Sequence, residues 1–267
     1  MQISKILNGP SDDGIERMAA FFRGHAFSPH RHDTYAIGLT SVGVQAFTYR
    51  GETQHCMPGQ AFVLHPDEKH DGRPGDDRGF GYRVAYIDPA LLLTASGAGG
   101  LPFMRAPVSS DAQLTDAIEE VMQAQEGDAN DVALTSSLVR LADVMSGLSG
   151  IVRAKAVRVH LPGVEAARDV LIGRGVAHVS MGELEAISGL SRWELARQFR
   201  AAYGVSPHRF HLLRRLGVAR GMLMQSGPLA DIALSCGFAD QAHLTRHFKS
   251  AFGLSPGRWR ALSEAKA

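Results

Sequence analysis

The stretch FRAAYGVSP at residues 199–207 recurs 49 residues later as FKSAFGLSP at residues 248–256. In both copies an aromatic residue, a glycine and then Ser-Pro follow a helix-sized segment, and a glycine-marked turn precedes that segment. A repeat of such pieces at a constant offset indicates a duplicated supersecondary unit rather than chance similarity. The C-terminal half of the chain is therefore predicted to contain two related helical units.

The first copy has the signals of a helix-turn-helix. Ser180 and Glu183 have the spacing of a capping box, in which the two side chains satisfy the free N–H groups at a helix start. Gly189 supplies a turn, and Ser191 with Glu194 repeats the capping box. Two short helices separated by Gly189 are expected.

The second copy carries different signals for the same arrangement. Pro228 suits the first position of a helix, and Gly237 suits the left-handed position that follows a helix end. The next helix is expected to begin near Asp240 or Gln241.

The second helix of each copy is predicted to present a polar face. Leu195 and Phe199 in one, and Leu244 and Phe248 in the other, are four residues apart and must face inward. The residues left facing outward are Arg192, Trp193, Ala196, Arg197 and Arg200 in the first helix, and Gln241, Ala242, His243, Thr245, Arg246 and Lys249 in the second. A helix with such a face can enter a DNA major groove and read base edges.

The charge distribution supports binding to nucleic acid. Residues 151–267 contain 17 Lys and Arg against 8 Asp and Glu, a net +9, whereas residues 1–150 contain 11 against 19, a net −8. A basic half attracts phosphate groups, which supply most of the non-specific affinity for DNA. The alternative is a basic helical bundle with solvated arginines, which accounts less well for two units with matching arginines.

These motifs resemble the paired helix-turn-helix region of AraC/XylS-type bacterial transcription regulators, over roughly residues 160–262. The resemblance implies seven helices, with a long helix from Pro207 to about Met224 joining the two motifs. It also implies that the two recognition helices enter successive major-groove turns on one face of DNA. The contacts it implies fall on Trp193, Ala196, Arg197, Ala242, His243 and Arg246, with Arg192 and Gln241 as substitutes for the alanines.

The N-terminal half has the pattern of an antiparallel β-structure. Short β-type segments at 35–41, 44–49, 61–65 and 81–88 alternate with clusters of turn residues. Such spacing predicts a small barrel or sandwich. Apolar residues at helical intervals between 111 and 149 predict two helices, which either contribute to a dimer contact or cover an open end of the barrel.

Six histidines fall within residues 25–70, and the segments around His30, His32 and His70 resemble the cupin barrel that serves as a sensor domain in the same regulator family. Since His30 and His32 are two residues apart on an expected strand, both should point toward His70 in the barrel mouth. We interpret His30, His32, Tyr35 and His70 as polar contacts to a small ligand. His55 and His65 are expected to be exposed loop residues.

A transition metal held by His30, His32 and His70 is the alternative. It would make the chain a metal-dependent cupin enzyme, or a metal sensor, fused to a DNA-binding domain. Catalytic metal cupins resemble a longer pattern with a glutamate a few residues after the paired histidines. Here residues 33–36 read Asp-Thr-Tyr-Ala and the next glutamate is Glu52, so we favour a sensor without catalytic turnover and without a required cofactor.

The chain is long enough for two domains, and its apolar runs are too short for a membrane span. We expect an α+β protein with a cupin-like antiparallel β-barrel and following helices at 1–150, a linker at 151–160, and an all-α DNA-binding domain at 161–267, with helix-turn-helix motifs near 180–203 and 228–252. Cys56 and Cys236 are expected to be reduced thiols in a cytoplasmic protein. The expected partners are double-stranded promoter DNA, a small-molecule effector, a second copy of the chain and RNA polymerase.

Overall fold

The computed structural model describes residues 4–12, 14–24, 26–96, 100–124, 131–149, 159–225 and 227–264. The strands are β1 (Lys5–Asp12), β2 (Ile15–Phe22), β3 (Phe27–His30), β4 (Tyr35–Gly43), β5 (Gln45–Tyr49), β6 (Glu52–Cys56), β7 (Ala61–Leu64), β8 (His70–Pro74), β9 (Phe80–Ile87) and β10 (Val108–Ser109). The helices are α1 (Pro89–Ala95), α2 (Ala112–Gln123), α3 (Asp131–Leu148), α4 (Leu161–Gly173), α5 (Met181–Ser188), α6 (Arg192–Tyr203), α7 (Pro207–Leu223), α8 (Leu229–Ser235), α9 (Gln241–Phe252) and α10 (Pro256–Glu264).

The N-terminal strands form two antiparallel sheets, with orders β1-β2-β9-β4-β7-β10 and β3-β8-β5-β6. Aromatic side chains from both sheets pack in the space between them, as in the contact of Phe22 with Phe27, whose ring centroids lie 4.7 Å apart. Within the described ranges no strand pairing joins the two sheets into a closed barrel. The fold is thus cupin-like, with two facing sheets where the sequence predicted a barrel.

The helices that follow the sheets cover the outer face of the six-stranded sheet. Helix α2 packs on β4, β7 and β9, and α3 packs on α2 and α1. Their buried residues, which include Leu114, Ile118 and Leu141, form one core with the outward-facing residues of the sheet, such as Ile37 and Val63. The two predicted helices are confirmed, and their packing accounts for the apolar stripes by burial within the chain.

The C-terminal part contains seven helices, α4–α10, within the described residues. We call α5–α6 HTH1 and α8–α9 HTH2. Both predicted capping boxes of HTH1 form, at Ser180 with Glu183 and at Ser191 with Glu194. The turn at Gly189 is left-handed, with φ 67°. Helix α7 begins with Pro207, as the resemblance implied, and packs against both HTH1 and HTH2.

HTH2 differs from its prediction in one detail at the start. Pro228 is the N-cap residue of α8 and not its first helical residue. Its extended backbone, with ψ 139°, places it one residue outside the helix. The C-terminal end agrees with the prediction, because Gly237 follows the cap residue Cys236 with φ 73°. Helix α9 begins at Gln241 behind Asp240, whose carboxylate accepts a hydrogen bond from the backbone N–H of His243.

The two parts of the chain share a core at HTH2. One cluster of buried apolar side chains runs from the sheets through Phe27 to Leu244, Phe248 and Trp259. HTH1 instead packs with α4, and its core reaches the N-terminal part through Ala90 and Leu93 of α1. No helix within the described ranges combines the length and apolar composition needed to cross a membrane. Residues 151–158 of the predicted linker at 151–160 lie outside the described residues.

Candidate functional site

Helix α6 of HTH1 presents its predicted outward face to solvent. Leu195 and Phe199 are buried, as expected, and Trp193 is 78% exposed. Arg197 is exposed, and no described side chain hydrogen-bonds to its guanidinium group. Arg192 is held at the helix start, because Glu185 accepts hydrogen bonds from its backbone N–H and its guanidinium group.

Arg200 differs from the other residues of this face, because it contacts the N-terminal part of the chain. Its guanidinium group donates to the Asp67 carboxylate at 2.9 Å, so it bridges α6 to the loop after β7. Asp67 also pairs with Arg31, at 3.4 Å. The structure therefore places Arg200 at the contact between the two parts of the chain, apart from Trp193 and Arg197. Sequence periodicity did not predict this ion pair, because its partner is 133 residues away.

Helix α9 of HTH2 presents a similar face. Leu244 and Phe248 are buried, and the exposed predicted residues are Gln241, Ala242, Arg246 and Lys249. His243 is partly buried, with its ring edge-on to Phe238 at 5.5 Å between centroids. Its Nδ1 accepts a hydrogen bond from the backbone N–H of Ala239, at 3.3 Å. With Nδ1 as an acceptor, the ring N–H lies on Nε2, where it can donate to a partner outside the protein.

The recognition helices α6 and α9 both end in a left-handed glycine that abuts the N-terminal part. A Cβ atom on Gly204, at the end of α6, would lie 2.6 Å from the Cβ of Pro66. A Cβ atom on Gly253, at the end of α9, would lie 2.8 Å from the Cβ of Phe27 and 2.8 Å from the Nδ1 of His30. The repeated aromatic-glycine element is thus the point at which each recognition helix docks.

The structure brings together three of the four residues that we interpreted as ligand contacts. His30 at the end of β3, His32 just after it and His70 at the start of β8 are buried, and the His30 and His70 rings lie 4.3 Å apart. Tyr35 is not with them. Its hydroxyl donates to the carbonyl of Pro102 at 2.7 Å, on the side of the six-stranded sheet that α2 and α3 cover.

The prediction that His65 is an exposed loop residue is wrong. His65 is 6% exposed, and its Nε2 accepts a hydrogen bond from the backbone N–H of Met104 at 3.0 Å. Its Nδ1 lies 2.8 Å from the hydroxyl oxygen of Tyr49. It is therefore a satisfied core histidine that ties β7 to the segment before β10. His55 is exposed as expected, but it lies on β6 and not in a loop.

Burial keeps the grouped histidines neutral. It lowers the pKa of His32 to about 3 and that of His70 to about 4, and it lowers the pKa of His30 well below its ordinary value. The same cause, with a contribution from Asp88, raises the pKa of Asp33 to about 7. The site is thus a cluster of uncharged imidazoles beside a carboxyl group that takes up a proton near neutral pH.

A cavity of about 450 Å³ lies between the two parts of the chain, next to these histidines. One wall comes from the N-terminal part, including His30, His32, Asp33, Tyr86 and Asp88, and the other from α7, α9 and α10, including Phe210, Arg214, Arg220, Phe252 and Trp259. Its size suits a small organic molecule. The second wall was not predicted from the sequence, because it forms only when the helices dock on the sheets.

A second depression, of about 530 Å³, lies on the outer surface of α4 and α5. Its lining is Val170, Gly173, Arg174, Glu183, Ala186 and Ile187. It is open to solvent and has no buried polar group among these residues. The cavity between the two parts is therefore the better ligand site, because it is more enclosed and has polar groups from both walls.

Comparisons with known proteins agree with these two kinds of site. The AraC-like ligand binding domain family matches residues 14–142, and a helix-turn-helix domain family matches residues 184–262. An uncharacterized HTH-type transcriptional regulator, YbfI from Bacillus subtilis, is 25% identical over 229 residues, which cover 82% of this chain and 81% of YbfI. A probable transcriptional regulator, LumQ from Photobacterium leiognathi, is 21% identical, with 80% and 84% covered.

Solved structures show the same fold at low identity. An apo variant of ToxT from Vibrio cholerae superposes with a TM-score of 0.66 at 12% identity, over 95% of this chain and 99% of ToxT. ToxT with a bound unsaturated fatty acid gives a TM-score of 0.61 at 12% identity, over 99% and 96%. Together the two family matches span most of the chain, one on the sheets and one on the helices. The chain belongs to the AraC-type transcriptional regulators, with a ligand-binding domain followed by a DNA-binding domain of two helix-turn-helix motifs.

Proposed function

We propose that this regulator reads promoter DNA with the exposed faces of α6 and α9, and that an effector in the interdomain cavity sets how these helices are presented. The observation that carries the proposal is the cavity itself, because its walls come from both domains. A molecule bound there contacts both sides and so prefers one relative arrangement of the domains. A ligand shifts an equilibrium only through such a difference in affinity.

The proposed base and phosphate contacts are the following: Arg192, Trp193, Ala196 and Arg197 on α6, and Gln241, Ala242, His243, Arg246 and Lys249 on α9. We place Arg197 and Arg246 at the centre of each contact, because they are exposed and 49 residues apart in the repeat. Arg200 belongs to the same helix face, but its bond to Asp67 gives it a role in holding α6 against the ligand-binding domain.

The effector is a small molecule with an apolar body and a hydrogen-bond acceptor. Apolar groups of Phe27, Phe210 and Phe252 line the cavity. Trp259 also lines it, and its indole N–H is buried with no partner among the described residues. Because an unpaired buried donor is costly, an acceptor on the effector would stabilise the complex there. The ToxT structures with an unsaturated fatty acid and with an aryl butenoic acid contain ligands of this general kind.

The remaining partners and bounds are part of the same proposal. The ligand-binding domain comprises residues 1–150 and the DNA-binding domain residues 161–267, with 151–160 as the linker. The regulator acts in the cytoplasm as a homodimer and contacts RNA polymerase at the promoter.

DNA reading is tested by selecting a randomised duplex pool with the full chain and then measuring affinity for the recovered site. We expect two boxes about 10 base pairs apart, one for each recognition helix. Arg197→Ala and Arg246→Ala should each weaken binding by about 1–3 kcal/mol and relax the sequence preference in one box. Arg78→Ala, in an exposed turn of the ligand-binding domain, is the control and should bind normally. Unchanged affinity for both test variants would refute their assignment.

The effector site is tested by filling the cavity. Gly217 and Gly221 both lie on α7, and a Cβ atom on either meets nothing within 4 Å, but only Gly217 lines the cavity. A panel of fatty acids and aryl carboxylic acids should raise the thermal stability of the wild type and of Gly221→Phe. The same acids should have no effect on Gly217→Phe. Equal stabilisation of both variants would place the effector elsewhere.

A further inference from the structure

The grouped histidines come from two paired strands and converge on one point. His30 on β3 is in register with His70 on β8, and His32 follows two residues later. One ring nitrogen from each residue can be chosen so that all three lie within 4.8 Å of one another. Three imidazole ligands around a tetrahedral ion at about 2.0–2.1 Å are about 3.4 Å apart, so modest side-chain rotation would close the set.

Backbone carbonyls fix the tautomer of all three rings. The Nδ1 atoms of His30, His32 and His70 lie 2.9, 2.8 and 2.9 Å from the carbonyl oxygens of Ser28, Thr34 and Glu68. A carbonyl oxygen only accepts, so each Nδ1 carries the proton and donates it. The lone pair of each neutral ring is therefore on Nε2, which is the arrangement in which histidines bind metals with a carbonyl as the outer partner.

The three Nε2 atoms have no hydrogen-bond donor in the part of the chain that the structure describes. The guanidinium group of Arg209 donates elsewhere, to the carbonyl of Arg31. An Nε2 atom that accepts no hydrogen bond keeps its lone pair available to a metal ion.

We propose that His30, His32 and His70 bind one divalent late first-row transition-metal ion per chain, of which Zn²⁺ is the best match. Three imidazole nitrogens suit such ions, whereas Mg²⁺ and Ca²⁺ require oxygen ligands. His30 and His32 also line the interdomain cavity, so a bound ion would lie beside the effector site.

The site lies directly against the recognition helix of HTH2. The backbone N–H groups of Ser28 and Arg31 donate to the carbonyls of Gly253 and Ser250, at 3.1 and 3.2 Å. His30 is on the same strand end and contacts Gly253. An ion that fixes His30 also fixes this strand end and the C-terminus of α9. The metal site stands by itself, whereas its effect on DNA binding rests on the proposed function.

The test uses the full chain, stripped with a chelator and titrated with Co²⁺ as the spectroscopic probe and then with Zn²⁺ in competition. We expect one equivalent of Co²⁺ with the visible absorption of a low-coordinate imidazole site, and its displacement by Zn²⁺. His32→Gln and His70→Gln should each lower affinity by at least about 100-fold. Their folding is checked by circular dichroism, and retention of the wild-type spectrum shows that the loss is local.

Two control variants separate this site from other histidines. His55→Gln changes an exposed histidine of the same domain, and the double variant His243→Gln/His247→Gln removes two neighbouring rings on α9, 4.7 Å apart. Both should retain one equivalent and the wild-type spectrum. Absence of stoichiometric binding by the folded wild type, or unchanged binding by His32→Gln and His70→Gln, would overturn the proposal.

A second readout separates the metal site from the regulatory proposal. Operator affinity of the stripped chain is measured with and without one equivalent of Zn²⁺, and we expect a change that His32→Gln abolishes. Operator binding without metal binding would refute the site and leave DNA reading intact. Stoichiometric metal binding with no change in operator affinity would support the site and refute its coupling to HTH2.

Discussion

HTH1 and HTH2 have the same repeat but are attached to the ligand-binding domain in different ways. HTH2 shares an apolar core with the sheets and accepts backbone hydrogen bonds from Ser28 of β3 and from Arg31 just after it. HTH1 has its own core, meets α1 at a small contact and is otherwise held by Pro66 and by the ion pair of Arg200 with Asp67. The two copies of the repeat are thus attached to the ligand-binding domain to different degrees. The difference lies in the groups that contact the glycine at the end of each recognition helix.

The largest expected effect is that of Gly253→Ala, which adds a methyl group where the end of α9 contacts the ligand-binding domain. Gly253 has φ 71°, which costs a non-glycine residue roughly 1–2 kcal/mol. A Cβ atom there would also lie 2.9 Å from the carbonyl oxygen of Ser28 and 2.8 Å from Phe27, and such overpacking adds about 1–3 kcal/mol. Gly253→Ala should therefore lower the free energy of unfolding by about 2–5 kcal/mol in urea titrations.

Two further glycines make this prediction specific. Gly189 has φ 67° and nothing within 4 Å of its Cβ position, so Gly189→Ala measures the conformational cost alone. Gly204→Ala would place its Cβ atom 2.6 Å from the Cβ of Pro66, at φ 74°, and should also cost more than Gly189→Ala. If Gly253→Ala costs no more than Gly189→Ala, then the contact between the end of α9 and the ligand-binding domain is not tight.

The pH dependence of stability tests the attachment of HTH1, because His65 begins the loop that contacts Gly204 and Arg200. Burial, with a smaller contribution from Arg50, lowers the pKa of His65 to about 3. The unfolded chain takes up this proton below about pH 6.5, whereas the folded chain does not. Stability is therefore complete above that pH and falls on acidification, by about 1.4 kcal/mol per pH unit for one proton.

Between about pH 6 and pH 4, His65→Gln should reduce the slope of the unfolding free energy against pH by the contribution of about one proton. The other buried histidines have the same sign, so the variant is expected to retain a reduced slope and not a flat profile. His55→Gln, at an exposed position, should leave the slope unchanged. A wild-type slope in His65→Gln would mean that His65 is protonated in the folded chain.

Local signals in the sequence predicted the helical domain well. The capping boxes at Ser180 and Ser191 and the left-handed Gly189 act within a few residues, so their geometry is encoded locally. Four strands, β4, β5, β7 and β9, were also predicted, because turn residues separate them. β2 was missed because six of its eight residues are buried, which leaves little alternation of polar and apolar residues. β8 was missed because its Gly-Arg-Pro segment is typical of a turn.

Only the part of the candidate site that residue spacing and the resemblance indicate could be predicted from the sequence. His30, His32 and His70 were grouped correctly from the spacing and the resemblance. Tyr35 was misplaced because β3 ends at His30 and a new strand begins at Tyr35, which faces the other core. The burial of His65 depends on Tyr49 and Met104, and the cavity depends on domain docking. Such tertiary contacts leave no periodic signal in the sequence.

The smallest expected effect tests the weaker attachment directly. Asp67 has φ 61° and pairs with both Arg200 and Arg31, so Asp67→Asn keeps a residue that tolerates this backbone while removing the charge. Because Arg200 is largely exposed, the loss of stability should be below about 1 kcal/mol and should shrink as salt is raised. Its consequence should be local. Hydrogen exchange should become faster in α6 than in α9, since Asp67 pairs directly with Arg200 of α6 but reaches α9 only through Arg31, whose backbone N–H donates to Ser250. Equal acceleration in both helices would mean that the two readers are released together, and that the difference in their attachment has no effect on their motion.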